Sequence, residues 1–179
     1  MILTGCQGYN RMVEKQETVT SQWGNVQNAY QRRADLIPNL VNTVKGYAAH
    51  EQETFTQVTE ARARATQTVV DPENLTEEAL QEYQQAQNQV GQALGRLLLI
   101  QENYPELKAN QNFLALQDEL AGTENRISVE RNRFNEIARH YNAYIRKFPQ
   151  VSYAGWVKFQ PKAYFEAVPE AQNAPIVEF

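Results

Sequence analysis

Among the 179 residues, side chains equipped for chemistry are few and widely spaced: one cysteine, Cys6, and two histidines, His50 and His140. Cys6 closes the tetrapeptide Leu3-Thr4-Gly5-Cys6, which fits the pattern of small residues before a cysteine that is cleaved free and diacylated. Small side chains suit the peptidase, and the thiol takes the lipid. The charged n-region and the apolar h-region of a signal peptide are missing ahead of it. Lipid attachment at Cys6, an uncleaved N-terminal membrane anchor and a chance cysteine therefore all stay open.

Catalytic and metal-binding patterns fail on spacing. His50-Glu51 lacks the second histidine that a zinc protease helix carries four positions on, where Thr54 stands instead. Di-iron bundles need Glu-x-x-His, yet Tyr47 and Ile137 stand three residues before His50 and His140. A cysteine at the extreme terminus has no scaffold to hold it against a base, and no glycine-rich phosphate loop occurs. Both histidines read as exposed or partly buried helix side chains, and neither a catalytic residue, a metal nor a cofactor is expected. Gly91 and Gly95 read as packing positions in a water-soluble helix, with Gln92 between them.

More informative are charges on otherwise apolar helical stripes: Arg33, Glu51, Glu124 and Arg131. An unpaired buried charge costs several kcal/mol, so these residues are expected to pair across helices or to sit at stripe edges. The favoured reading is a polar network that fixes helix register, and the rival is an interior ligand site. Asn39, Asn125, Asn135 and Asn142 could satisfy the remaining donors and acceptors.

The elements that position these groups read as helices. Eight glycines, seven prolines and a composition rich in Gln, Asn, Ala, Glu and Arg favour long helices over strands. With 42% hydrophobic and 10% aromatic residues, the many polar ones must form a solvated face rather than a disordered chain. A net charge of −4 argues against a nucleic-acid surface, and no apolar run is long enough to span a bilayer.

A first helix is read from Arg11 to Ala34, with Met12, Val19, Trp23, Val26 and Tyr30 on its buried stripe. Asp35 to Pro38 reads as a chain reversal with Pro38 opening the second helix, which extends to Val69; a kink within one long helix is the alternative. After the loop at Asp71 to Asn74, Thr76 caps a third helix, and a fourth runs from Asn112 to Phe148. The sum is an all-α protein, an antiparallel up-and-down four-helix bundle over residues 11–148, preceded by an anchor remnant and linker over 1–10. The tail, 149–179, is rich in aromatics and is expected to lie along a bundle groove, with one helical turn near Lys162 to Ala167.

Three stretches carry a likeness to a known family: Gln31 through Val41, Tyr104 through Asn110, and Glu124 through Tyr141-Asn142. Over nearly the whole chain, from Gly8-Tyr9-Asn10 to the Phe165 region, the sequence resembles the LemA family. The resemblance implies a bacterial protein held at the membrane by its N-terminus, with a helical bundle outside the cytosol, and it names no activity and no catalytic residues. The sequence departs from the family pattern in lacking the full N-terminal apolar segment, which leaves the type of anchor open.

The resulting expectation is a non-enzymatic adaptor or scaffold of the bacterial envelope, with its bundle on the periplasmic or extracellular side. Its partners would be the membrane, through the N-terminus, and another envelope protein, with no nucleic acid. Trp156 and Phe159 in the tail are the candidate partner contacts. Arg146 and Lys147 fall at the pole that carries the anchor, where cations favour an anionic lipid surface.

Overall fold

The computed structural model describes residues 2–166, and the side chains of all of these but 2–6 and Tyr153. It is all-helical, with no strand among the described residues. Four long helices, α1 (Ile2–Lys45), α2 (Gln52–Gln67), α3 (Glu77–Leu99) and α5 (Gln111–Ile145), are accompanied by two single-turn helices, α4 (Pro105–Lys108) and α6 (Val151–Ala154). At about 1.5 Å per residue, α1 is about 66 Å long.

Helix starts follow local chemistry. The Thr76 hydroxyl accepts from the Ala79 amide at 3.2 Å, and Glu77 and Glu78 place negative charge at the positive end of α3. Asn110 accepts from the Phe113 amide at 2.9 Å to start α5. Asp71 and Pro72 set the short 3-10 turn in the α2–α3 loop in the same way.

The largest departure from the sequence reading is at Pro38. No reversal occurs there: α1 runs through Pro38 to Lys45, and the chain turns at 46–51 instead. A proline inside a helix removes the bond to the carbonyl four residues back, here that of Ala34. The structure supplies a replacement donor, because Arg62 Nε on α2 reaches the Ala34 oxygen at 2.8 Å. Leu36, Ile37 and Leu40 around the proline are buried, so the helix has packing on both sides of its missing bond. The first helix also starts earlier than the spacing predicts, its backbone being helical from Ile2 rather than from Arg11.

α1 packs along α5, and α2 against α3. Two apolar clusters fill the interior. One joins the second half of α1 to α2, α3 and the start of α5 through Leu40, Val44, Phe55, Val58, Leu97 and Phe113. The other joins the first half of α1 to the remainder of α5 and to the tail, centred on Trp23. The Trp23 ring lies 5.2 Å from that of Tyr83, 5.6 Å from Phe134 and 5.8 Å from Phe165, all centroid to centroid.

The described part of the tail places Lys162 and Phe165 against α5. From Pro161 to Glu166, however, it carries no helical turn, and the single turn of this region is α6, earlier in the chain. The reason is hydrogen bonding: Asn142 and Asn135 each hold one tail residue by both its amide and its carbonyl, which requires an open backbone there. Ala167 and the residues after it lie outside the described part.

Candidate functional site

Arg33 is buried to 4% exposure at the centre of the helix assembly. Its Nη1 reaches Glu124 of α5 at 3.0 Å, and its Nη2 donates to both the backbone oxygen and Oε1 of Gln87 on α3, at 2.8 and 2.7 Å. The guanidinium also lies 5.1 Å from the centre of the Tyr30 ring. One side chain thus ties α1, α3 and α5 together. Among the described residues its fully buried Nε has no partner, and neither has the buried Trp23 indole N–H. Leaving such donors unmade costs about 1–3 kcal/mol each, which the surrounding packing has to offset.

Arg131 approaches the same region from the tail side. Its Nη2 donates to the Glu166 carbonyl at 2.8 Å, and its guanidinium lies 4.9 Å over the Phe165 ring. Between the two arginines sits Tyr30. Burial pushes its hydroxyl pKa up, with the charges of Arg131 and Arg33 opposing that rise. Burial likewise raises the pKa of Tyr83. Glu51 is elsewhere: it precedes α2 and accepts a long 3.5 Å bond from the Tyr104 hydroxyl. The structure therefore brings Arg33, Glu124 and Arg131 around Tyr30 and leaves Glu51 outside.

A second buried polar pair joins α1 to α5. Gln22 donates to the Glu130 carboxylate at 2.8 Å and to its backbone oxygen at 3.1 Å, while Arg126 approaches the same carboxylate at 3.2 Å. The sequence reading overlooked Gln22, Gln87 and Glu130. Their signal was present, since Gln22 directly precedes Trp23 and Glu130 falls three residues after Ile127, but a polar residue beside an apolar stripe also reads as its solvated edge.

The tail contacts form a third group. Asn142 donates to the Lys162 carbonyl at 2.7 Å and accepts from its amide at 2.8 Å. Seven residues earlier, Asn135 makes the same two bonds to Phe165, at 2.9 and 2.8 Å. Two turns of α5 span about 10 Å, as do three extended residues, so the two amides match the repeat of an extended strand. Lys162 is buried, and its ammonium donates to the carbonyls of Pro72 and Glu73, binding the tail to the α2–α3 loop. Asn39 and Asn125 are exposed.

Trp156 is 90% exposed, whereas Phe159 is half-buried with its ring 5.8 Å from that of Tyr9. The two tail aromatics therefore do not share one environment. The side chain of Cys6 lies outside the described side chains. Both histidines are exposed, His140 beside Glu136 at 3.8 Å. No group of three His, Cys, Asp or Glu side chains suited to a metal occurs among the described residues. No described helix is long and apolar enough to cross a membrane.

Two open clefts flank α1. One of about 210 Å³ lies between α1, α2 and α3, lined by Tyr30, Arg33, Arg62, Thr66 and Tyr83 among others. A larger one of about 520 Å³ runs between α1 and α5, flanked by Arg32 and Arg126.

An all-helical chain with a charged tie at its centre and a strapped tail is the class defined by these contacts. The model of the LemA family matches residues 22–179, and the chain belongs to that family. It is 28% identical over 186 residues to magnetosome protein MamQ of Magnetospirillum gryphiswaldense, covering 94% of this chain and 68% of that protein. Magnetosome protein MamQ 2 of Paramagnetospirillum magneticum is 26% identical, with the same two coverages. Protein LemA of Metamycoplasma hominis is 25% identical over 139 residues, which is 78% of this chain and 60% of that protein.

Proposed function

We propose that the protein is a membrane-tethered, non-enzymatic adaptor or scaffold of the bacterial envelope, built as an antiparallel up-and-down four-helix bundle. The bundle reading is supported by residue pairings. Between α1 and α5, Gln22 meets Glu130 and Arg32 meets Glu119, so numbers rise on one helix as they fall on the other. Between α1 and α3 they rise together, from Tyr30 with Tyr83 to Arg33 with Gln87.

The observation that carries the adaptor reading is how Arg33 spends its donors. Four bonds to Glu124 and Gln87 use both of its terminal nitrogens on other protein groups, as a structural tie does. What is left for recognition is surface: long polar helix faces and the strapped tail. Family membership and the Leu3-Thr4-Gly5-Cys6 motif support placement at a membrane by the N-terminus.

Fractionation of cells making the natural protein and a Cys6→Ala variant tests the tether. The natural protein is expected in the membrane fraction and resistant to a high-salt wash, and the variant is expected to be released by that wash. Natural protein recovered in the soluble fraction would overturn the reading.

A second reading has its own observation. The cleft beside Arg33 also holds Arg62, whose terminal nitrogens make no bond among the described residues. A small carboxylate or other oxyanion is the ligand such a cleft would take. Thermal-shift screening against small anions, repeated on Arg62→Gln, tests it.

A further inference from the structure

Between Glu136 and Glu166 the chain contains no acidic residue, but it contains Arg139, Arg146, Lys147, Lys158 and Lys162. In a protein whose net charge is −4, this is a pronounced local reversal. Lys162 is buried; the other four are exposed, and none of them pairs with a carboxylate among the described residues. Three of the four, Arg146, Lys147 and Lys158, belong to the loop that links α5 to the tail.

That loop also carries much of the protein's exposed apolar surface. Trp156 is 90% exposed and Phe148 84%, with Val151 and Val157 exposed beside them in the chain. Large side chains left in water at this level cost stability and mark a surface that something else covers. The loop is not a loose excursion. Val151 and Ala154 donate to the carbonyls of Lys147 and Gln150 at 2.9 and 2.8 Å, and Phe159 donates to that of Ala154 at 3.1 Å. Ala154 is buried, Gln150 donates to the Tyr144 hydroxyl at 3.2 Å, and the Tyr141 hydroxyl donates to Gln160 at 3.0 Å. The aromatic and basic side chains are thus displayed by a folded loop whose base is held by the helices.

Its position is equally specific. Phe159 packs on Tyr9, and Lys15 lies 5.5 Å from the centre of the Tyr144 ring, so the loop sits beside the first turns of α1. We propose that the loop from Arg146 to Lys158 docks directly on an anionic lipid bilayer, with Trp156 and Phe148 entering the headgroup layer and Arg146, Lys147 and Lys158 facing lipid phosphates. Indole and phenyl rings prefer that layer, and each cation near an anionic surface adds to the attraction. The proposal deepens the membrane reading above and rests on it for the choice of a bilayer as occupant. It concerns a contact made without the anchor, so the anchor can fail its test while this one passes.

The two tryptophans make the test selective. Trp23 is fully buried in the core, so a change in tryptophan emission on adding vesicles reports Trp156. The full chain carrying Cys6→Ala, and so free of lipid, is titrated with phosphatidylglycerol-containing vesicles and with phosphatidylcholine vesicles. Expected is a blue shift with anionic vesicles only, weakened by salt, and quenched by lipids brominated near the headgroup. Removing Arg146, Lys147 or Lys158 should each lower partitioning about fivefold. Phe148→Ser should lower it while Trp156 still reports, and folding of each variant is read from the unchanged Trp23 contribution and from circular dichroism. No shift with anionic vesicles, or an equal shift with neutral ones, overturns the proposal.

Discussion

Arg62 donates to the Ala34 carbonyl at 2.8 Å, the very oxygen that Pro38 deprives of its helical partner. A side chain on α2 thereby completes α1 at its one internal proline, and the length of α1 depends on a contact between helices. Replacing Arg62 by Met keeps its packing and removes the donor, so it should destabilise by about 1–2 kcal/mol in urea unfolding. In a Pro38→Ala background the helix regains its own amide donor, and the same substitution should cost much less. Equal costs in both backgrounds would show that the two residues are not coupled.

This proline is where the sequence misleads. Periodicity places Met12 through Tyr30 correctly on a buried stripe, and Thr76 is recognisable as a helix cap, because both signals are local. Whether a helix survives Pro38 depends on a donor 24 residues further on, which no local pattern contains. The tail shows the same division: its aromatic content announces that it must be covered, but which residue is covered is decided by the spacing of Asn135 and Asn142 on another element. Phe165 is buried as a result, while Trp156 is left in water. Charge placement was legible by residue type, and Arg33 with Glu124 stands out on the stripes. Glu51 shares their periodicity and lies at the end of another helix, beyond their reach.

Arg33 and Glu124 should differ sharply on truncation. Glu124→Gln removes a partner whose side chain is 43% exposed and leaves both bonds to Gln87, so a loss of about 1 kcal/mol or less is expected. Arg33→Ala leaves buried Gln87 without its donor and opens a void between three helices, which should cost about 3 kcal/mol or more. Chemical denaturation of the two variants checks the ordering.

Asn142→Ala removes both bonds to Lys162 and one to Tyr164. The expected result is local release of the tail, seen as faster amide exchange at Lys162 and Phe165 with α3 and α5 still protected. Exchange that rises uniformly over all the helices would mean that the strap is part of the global core.

Alkaline pH should destabilise the fold through its buried tyrosines. Burial pushes Tyr141 up to about 12 and raises Tyr30 and Tyr83 as well, so these hydroxyls keep their protons in the folded state after the unfolded chain has lost them. The folded state then binds more protons, and stability falls as pH climbs from about 10. Lys162 acts in the opposite sense: burial lowers its pKa, so the cost of its charge is relieved as pH rises through that lowered value. Tyr141→Phe should flatten the alkaline decline in unfolding midpoint, measured between about pH 8 and 11.

Crosslinking in the native envelope tests whether these helices work through their surface as a tethered adaptor and keep their charged interior for holding one another together. The full-length protein and its Cys6→Ala variant are crosslinked in parallel, purified by affinity and analysed for bound proteins, with small anions screened against the purified chain. Expected are a specific envelope protein recovered reproducibly with the natural form and no anion that stabilises the fold through Arg33 or Arg62. No reproducible partner, together with an anion whose stabilising effect is lost in Arg62→Gln, would contradict the adaptor reading and make the interior the working site.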